Sequence, residues 1–174
     1  MKAIRVNEHG GPEVLSCEEV DTPRMSEEEV LVKVESAGIN FIDTYQRSGL
    51  YQIPLPSTLG LEAAGTVVET GANVTGLSAG DRVAYTNIAG AYAEFAAVPA
   101  DKLVPIPEGV SFDQGAAAML QGCTAHYLCT STYPVKAGDR CLIHAAAGGV
   151  GLLLIQMVKM LGGSVIGTVS TESK

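Results

Sequence analysis

Residues 142–156 read LIHAAAGGVGLLLIQ, an apolar run that passes through small residues and glycines and then becomes apolar again. The run before the glycines, Arg140–His144, is short and lacks alternation, which is typical of a strand covered on both faces. We therefore interpret His144 as a core histidine. The run after the glycines has helical length, ends at Gly162–Gly163 and precedes a second apolar segment, SVIGTVS. This order predicts a βαβ unit: strand, glycine turn, helix and parallel strand.

The glycine turn is typical of a phosphate site. A strand that enters a helix through glycines presents bare backbone N–H groups at the helix N-terminus, where the helix dipole also favours an anion. The dinucleotide fingerprint G-x-G-x-x-G aligns here with Ala146, Gly148 and Gly151, so alanine replaces the first glycine. The strand before it and the helix after it favour dinucleotide binding. A structural turn without a ligand is the alternative.

The end of the second strand indicates which dinucleotide is bound. NAD enzymes usually carry an acidic residue about 20 residues past the glycines, where it holds the ribose 2′-hydroxyl. Here the strand is predicted to end near Val169–Ser170, and Thr171 and Lys174 follow. Hydroxyl groups and a cation suit a 2′-phosphate, which favours NADPH over NADH. Glu172 leaves NADH open, since a shift of two residues would restore an acid, and Lys174 is alternatively a solvated surface residue.

The first hundred residues have a different pattern, with short alternating segments between glycines and prolines. In EEVLVKVESAG, for example, Val30, Val32 and Val34 share one face. Such a succession predicts a partly open β-barrel or sandwich. The segment NFIDTYQRSG is predicted to form a short helical turn closed by Gly49.

The pattern changes near residues 110–125. Ser111 and Gln114 have the spacing of a capping box, and the Ala-, Met- and Leu-rich stretch after them predicts one helix or two short ones. We therefore expect two parts, residues 1–122 and residues 123–174.

Composition limits the partners. The net charge of -8, from 19 acidic and 11 basic residues, argues against a nucleic acid or an anionic membrane surface. No apolar run reaches the ~18–20 residues that a membrane span needs, and the N-terminus lacks a signal-peptide core. A cytoplasmic protein is expected. The four cysteines form no C-x-x-C pair and are interpreted as free, mostly buried thiols.

Seven stretches run in order nearly from end to end of the chain: GGPEVL, AGINFIDTYQRSGLY, LGLEAAGTV, GDRVAY, GAYAEF, AGDRCLIHAAAGGVG and VIGTVSTESK. In these stretches the sequence resembles the quinone oxidoreductase (zeta-crystallin) branch of the medium-chain dehydrogenase/reductase superfamily. The resemblance implies a mixed α/β chain, with a GroES-like partly open barrel as catalytic domain followed by the first βαβ of an NADPH-binding Rossmann fold. It also implies members about twice this length, so that the Rossmann domain here is incomplete and the chain is truncated, and a homodimer in the full-length family.

Zinc binding is not expected. Alcohol dehydrogenases of the superfamily have a cysteine in the segment that matches AGINFID and a G-H-E in the segment that matches Gly60-Leu61-Glu62. Here the first segment has no cysteine, and leucine offers no lone pair to a metal. Without a Lewis acid to stabilise an alkoxide, reduction of an electron-poor quinone or activated enone is favoured over alcohol oxidation. The resemblance thus implies zinc-independent hydride or electron transfer from NADPH to such a substrate. A truncated, inactive dehydrogenase-like fragment that serves as a binding or assembly module is the alternative.

The resemblance also assigns site residues. Asn40 and Tyr51 match the substrate cleft and are the catalytic candidates. The expected cofactor-binding residues are Asn40, Tyr45, Thr124, Ala147, Gly148, Gly149, Val150, Ser170 and Lys174. The structural alternatives are packing for Tyr45 and Tyr51, a turn for Asn40 and a helix-satisfying hydroxyl for Thr124. Asp43 is expected to order its own loop.

Overall fold

The fold is taken from a computed structural model, which describes residues 1–173. The chain divides into two compact units, Met1–Met119 and Leu120–Lys174, the second described up to Ser173. The predicted bounds of 1–122 and 123–174 stay a prediction. The division falls within a single helix, α2, which begins in the first unit and ends in the second.

The first unit is built from two antiparallel sheets. One has five strands in the order β7-β3-β5-β6-β8, and the other has three in the order β2-β1-β4. This confirms the β-rich first part. The strands are β1 Lys2–Val6, β2 Leu15–Glu19, β3 Glu29–Ala37, β4 Ser57–Thr58, β5 Glu62–Thr70, β6 Arg82–Thr86, β7 Phe95–Pro99 and β8 Val104–Pro105.

The alternating valines of β3 contribute to the hydrophobic core of the first unit, as the sequence predicts. Val30 and Val32 on β3 are fully buried, and Val34 packs against the same cluster. Valine suits these positions because its branched side chain packs well on a pleated, half-buried surface. The register of β3 against β5 shifts at two places, next to Leu31 and Val34. Such irregularities bend a strand and increase its twist.

Helix α1 spans Phe41–Ser48 and begins and ends where the sequence predicts. At its start, Asp43 Oδ2 accepts a hydrogen bond of 2.8 Å from the backbone N–H of Asn40. At its end, Gly49 has a φ of 81°, a left-handed conformation that glycine adopts without steric cost. The predicted helical turn is confirmed.

The second unit contains the predicted βαβ. Strand β9 (Arg140–Ile143), helix α3 (Gly149–Met160) and strand β10 (Ser164–Gly167) follow one another, and the two strands pair in parallel. Two further hydrogen bonds continue the ladder beyond the strands. The N–H of Thr168 donates to the Ile143 carbonyl at 2.9 Å, and the N–H of Ala146 donates to the Thr168 carbonyl at 3.0 Å.

Helix α2 spans Phe112–Tyr127 as one helix, and a π-helical turn, Leu128–Thr132, follows it. The predicted capping box is present. The backbone N–H of Ser111 donates to Gln114 Oε1 at 2.9 Å, and the N–H of Gln114 donates to Ser111 Oγ at 3.2 Å.

Three predictions were wrong in detail. Strand β10 ends at Gly167, earlier than Val169–Ser170. His144 is exposed, with Nδ1 2.9 Å from Thr168 Oγ1. Side chains alternate along β9, so Cys141 and Ile143 share the more buried face, and Leu142 and His144 lie on the other. All four cysteines are free, but only Cys129 is buried.

None of the helices within residues 1–173 combines the length and apolarity that a bilayer-spanning segment needs.

Candidate functional site

The glycine turn of the second unit has the geometry of an anion cradle. Gly148 is the N-cap of α3, with φ −83° and ψ 170°, and its own N–H donates to the Ala145 carbonyl at 2.8 Å. The first backbone N–H groups of a helix have no partner within the helix, and here they belong to Gly149, Val150 and Gly151. These donors, with the positive end of the helix dipole, can bind a phosphate.

The three positions of the fingerprint differ in how much space surrounds them. A Cβ atom on Gly148 would have one heavy-atom neighbour within 4 Å, the Ala145 carbonyl oxygen at 3.2 Å. A Cβ atom on Gly151 would lie 2.5 Å from that same oxygen and 2.7 Å from Ala146 Cα. Gly148 therefore leaves room for a ligand, whereas Gly151 lets the helix pack closely on the turn. These are the roles of the second and third glycines of a dinucleotide fingerprint.

Gln121 is a neighbour of the turn that sequence reasoning missed. A Cβ atom on Gly149 would collide with the carboxamide of Gln121, which comes from α2. The absence of a side chain at Gly149 thus admits a polar side chain beside the N-terminus of α3. No local spacing indicates this approach, because the two positions are 28 apart in the sequence.

The other predicted residues of the second unit have these positions. Thr124 is half-buried, and its hydroxyl donates to the Leu120 carbonyl at 2.7 Å, which is the helix-satisfying role. Ser170 is exposed and lies three residues past the end of β10. Lys174 lies outside the described residues. Contact of Thr124, Ser170 and Lys174 with a cofactor stays a prediction.

In the first unit, Asn40 belongs to a buried polar network. Its Nδ2 donates to Glu62 Oε1 at 2.7 Å, and its backbone N–H donates to Asp43 Oδ2. The same Asp43 oxygen accepts a hydrogen bond of 2.5 Å from the hydroxyl of Tyr92. Glu62, Asp43 and Asn40 are 0%, 6% and 7% exposed. Asp43 orders its own loop, as the sequence indicates.

Burial sets the electrostatics of this network. Removal from water, followed by the hydrogen bond to Asp43, raises the pKa of Tyr92 above its usual range. The phenol therefore stays protonated and acts as a hydrogen-bond donor. Asp43 Oδ1 is buried, and within residues 1–173 it has no hydrogen-bond partner.

The two predicted tyrosines lie together. The ring centroids of Tyr45 and Tyr51 are 5.3 Å apart, and Phe41 contacts Tyr45 edge-on at 5.4 Å. Tyr45 is half-buried, and Tyr51 is 52% exposed. They form an aromatic surface on α1 and the loop after it, consistent with packing and with contact to a flat ligand.

A mainly apolar cleft of about 630 Å³ lies on the first unit next to Asn40. Its volume is within the range of small-molecule pockets. The lining residues are Ile4, Leu15, Ala37, Ile39, Asn40, Asp43, Thr44, Arg47, Leu59 and Tyr92.

Leu61 lies in the segment where the superfamily's alcohol dehydrogenases have the histidine of G-H-E. It is buried and offers no lone pair to a metal. Across residues 1–173, no three His, Cys, Asp or Glu side chains converge as a metal site would require.

Comparisons with known proteins agree with this geometry. The alcohol dehydrogenase GroES-like domain matches residues 26–108. Quinone oxidoreductase 1 of Escherichia coli is 49% identical over 98% of this chain and 53% of its own length. Quinone oxidoreductase of Pseudomonas aeruginosa is also 49% identical, over 99% of this chain and 54% of its own.

The fold agrees as well. A crystal structure of Escherichia coli quinone oxidoreductase complexed with NADPH superposes with a TM-score of 0.97 at 47% identity, covering 99% of this chain and 54% of that one. The chain therefore spans about half the length of the relatives that it matches. By its GroES-like domain, its identity to these proteins and its backbone, the chain is similar, over nearly its whole length, to about half of each of these quinone oxidoreductases.

Proposed function

We propose an NADPH-dependent, zinc-independent quinone oxidoreductase function for the chain. The observation that carries the proposal is the open Gly148 position at the N-terminus of α3, next to backbone donors that suit a pyrophosphate. The similarity to quinone oxidoreductases, one of them solved with NADPH, supports the choice of cofactor and substrate class.

Each proposed residue of the second unit is assigned one task. The backbone of Ala147, Gly148, Gly149 and Val150 holds the pyrophosphate. The hydroxyl of Ser170 and the ammonium group of Lys174 bind the 2′-phosphate, and the Thr124 side chain lies near the nicotinamide. When bound, NADPH supplies the reducing equivalents, as a hydride or as electrons.

In the first unit, Asn40 and Tyr45 are proposed to contact the cofactor, and Asn40 and Tyr51 to line the substrate cleft. Asn40 offers a fixed carboxamide, and Tyr45 and Tyr51 offer aromatic faces and hydroxyl groups to a flat ring. With leucine at position 61, no metal ligand is available there to polarise an alcohol oxygen. An electron-poor quinone or activated enone accepts reducing equivalents without such help, which is why we favour these substrates.

The first experiment is titration of the 174-residue chain with NADPH and then with NADH by calorimetry, followed by a quinone reduction assay. Saturable binding that prefers NADPH, together with quinone-dependent NADPH oxidation, is the expected result. A folded chain that binds neither nucleotide would contradict the proposal for this polypeptide. Binding without turnover would instead favour the binding or assembly module.

A further inference from the structure

We propose that Glu62 is a positioning residue for Asn40, and that its buried carboxylate fixes which edge of the Asn40 carboxamide faces the ligand. This inference rests on the proposed function, in which Asn40 borders the cofactor and the substrate. Glu62 acts through Asn40 and is not itself assigned a contact with either.

The chemistry of the two groups defines the orientation. The terminal torsion of asparagine is broad, so a carboxamide takes a single orientation only when its partners select one. A carboxylate accepts hydrogen bonds and donates none. At 2.7 Å from Glu62 Oε1, the group that faces the carboxylate must therefore be the NH₂ of Asn40. The carbonyl oxygen of the amide is consequently turned away from Glu62.

The main chain of Asn40 is fixed independently. Asp43 accepts its N–H, and Tyr92 donates to the same Asp43 oxygen, so the Cα of Asn40 has a set position before its side chain is considered. The capping box of α1 also engages the Asn40 side chain with the backbone of Asp43. With the backbone held by Asp43 and the NH₂ group by Glu62, little rotational freedom remains. Preorganisation of this kind reduces the entropy lost when a ligand binds.

The fold also makes space for the Glu62 carboxylate. Glu62 is the first residue of β5, where it pairs with Thr86, and its carbonyl accepts the N–H of Gly38 at 3.1 Å. A Cβ atom on Gly38 would collide with the Glu62 carboxylate. A fully buried carboxylate is costly unless it is hydrogen-bonded, so a simple packing role would be met at lower cost by an apolar side chain.

The test is a double-mutant cycle on NADPH affinity, measured with the 174-residue chain. Glu62→Met keeps the length of the side chain and removes its acceptor, whereas Glu62→Gln keeps an acceptor oxygen. For a coupling within the usual range, we expect Glu62→Met to weaken NADPH binding about tenfold and Glu62→Gln to weaken it by less than about threefold. In an Asn40→Ala background, Glu62→Met should have no further effect. Glu69→Met, at an exposed position on the same strand, is the matched control and should leave affinity unchanged.

A second measurement does not need the cofactor. The side-chain amide resonances of Asn40, identified by their loss in Asn40→Ala, report its hydrogen bond directly in a ¹⁵N-correlated NMR spectrum. We expect Glu62→Gln to shift them, because a neutral oxygen replaces a charged one, and Glu62→Met to shift them further, whereas Glu69→Met leaves them in place. If Glu62→Met does not fold, the Glu62→Gln spectrum decides alone.

The outcomes separate the two claims. Asn40 resonances that do not respond to substitution at Glu62 would overturn the positioning inference, whether or not NADPH binds. An equal loss of affinity from Glu62→Met with and without Asn40 would also overturn it, because Glu62 would then act independently of Asn40. A wild-type chain that binds no NADPH but shows the expected NMR shifts would overturn the proposed function and leave the Glu62–Asn40 orientation supported.

Discussion

Tyr92 and Asp43 are joined by a 2.5 Å hydrogen bond between residues that lie 49 positions apart in the sequence. The bond ties the loop before β7 to the first turn of α1, because Asp43 also accepts the N–H of Asn40. Asp43 has lost most of its water, so the phenol replaces solvent as a donor to its carboxylate. The start of α1 therefore depends on a residue far away in the sequence.

The first prediction concerns this bond. Tyr92→Phe removes one donor from a buried carboxylate, and hydrogen bonds to charged groups contribute about 1.5–3 kcal/mol. We expect the free energy of unfolding to fall by about that amount, measured by urea denaturation. Tyr127→Phe, at an exposed position, is the matched control and should change little. Equal effects of the two substitutions would contradict the proposed importance of the bond.

For Tyr85, we expect removal of the hydroxyl group to leave the stability unchanged or to raise it, in contrast to Tyr92. Its side chain is fully buried, and its hydroxyl has no hydrogen-bond partner within residues 1–173. Tyr85→Phe removes an unsatisfied polar atom and keeps the ring in the core. Because such an atom costs about 1–3 kcal/mol when buried, we expect the variant to be as stable as the parent or more stable, by up to about 1 kcal/mol. A clear loss of stability in the same urea experiment would mean that the hydroxyl has an ordered partner, such as water.

The same residue predicts a dependence of stability on pH. Burial raises the pKa of Tyr85 above the unfolded value of about 10. The folded state then holds this proton more tightly than the unfolded state. The corresponding stability is fully present below about pH 10 and is lost as the pH rises above it. Urea denaturation between about pH 9 and 11 should show this fall, and Tyr85→Phe should make it less steep. The same slope in both proteins would assign the effect to other groups.

The glycine turn allows a matched pair of substitutions. In Gly151→Ala, the new methyl group would overlap the backbone of Ala145 and Ala146, whereas in Gly148→Ala it would have one neighbour at 3.2 Å. Overpacking typically costs about 1–3 kcal/mol, so Gly151→Ala should lower the melting temperature and Gly148→Ala should change it little. Similar melting temperatures for the two variants would contradict the close packing of α3 on the turn.

A larger side chain at Gly148 tests the cofactor site. The backbone there is extended, a conformation that valine adopts readily, so Gly148→Val is expected to fold. Its branched side chain would occupy the space proposed for the pyrophosphate. We expect NADPH binding to fall below detection by calorimetry, with thermal unfolding as the control for folding. Unchanged NADPH affinity in the folded variant would place the cofactor elsewhere.

Patterns that repeat within one element were readable from the sequence. The alternation of Val30, Val32 and Val34 predicts a strand with one buried face, and the Ser111–Gln114 spacing predicts a helix start. Both are local, because strand periodicity and helix capping depend on residues a few positions apart. The glycine turn is readable for the same reason.

Contacts between distant segments were not readable. Nothing in the spacing of Asn40, Glu62 and Tyr92 indicates that they share one buried network, because tertiary packing brings them together. The solvent exposure of the side chains on β9 was also not predictable from the sequence, because it depends on tertiary packing. An apolar run such as Arg140–His144 identifies a strand but does not say whether neighbouring elements cover both of its faces, and here Leu142 is 60% exposed.

The hydrogen bonds of Ala146 and Thr168 extend the β9–β10 ladder into the glycine turn. Neither amide proton can reach solvent unless the turn and the strand end separate, so both are expected to exchange with deuterium at similar rates, through the same opening event. The turn and the end of β10 would then behave as a single cooperative unit. Loosening the strand end would release the cradle as well.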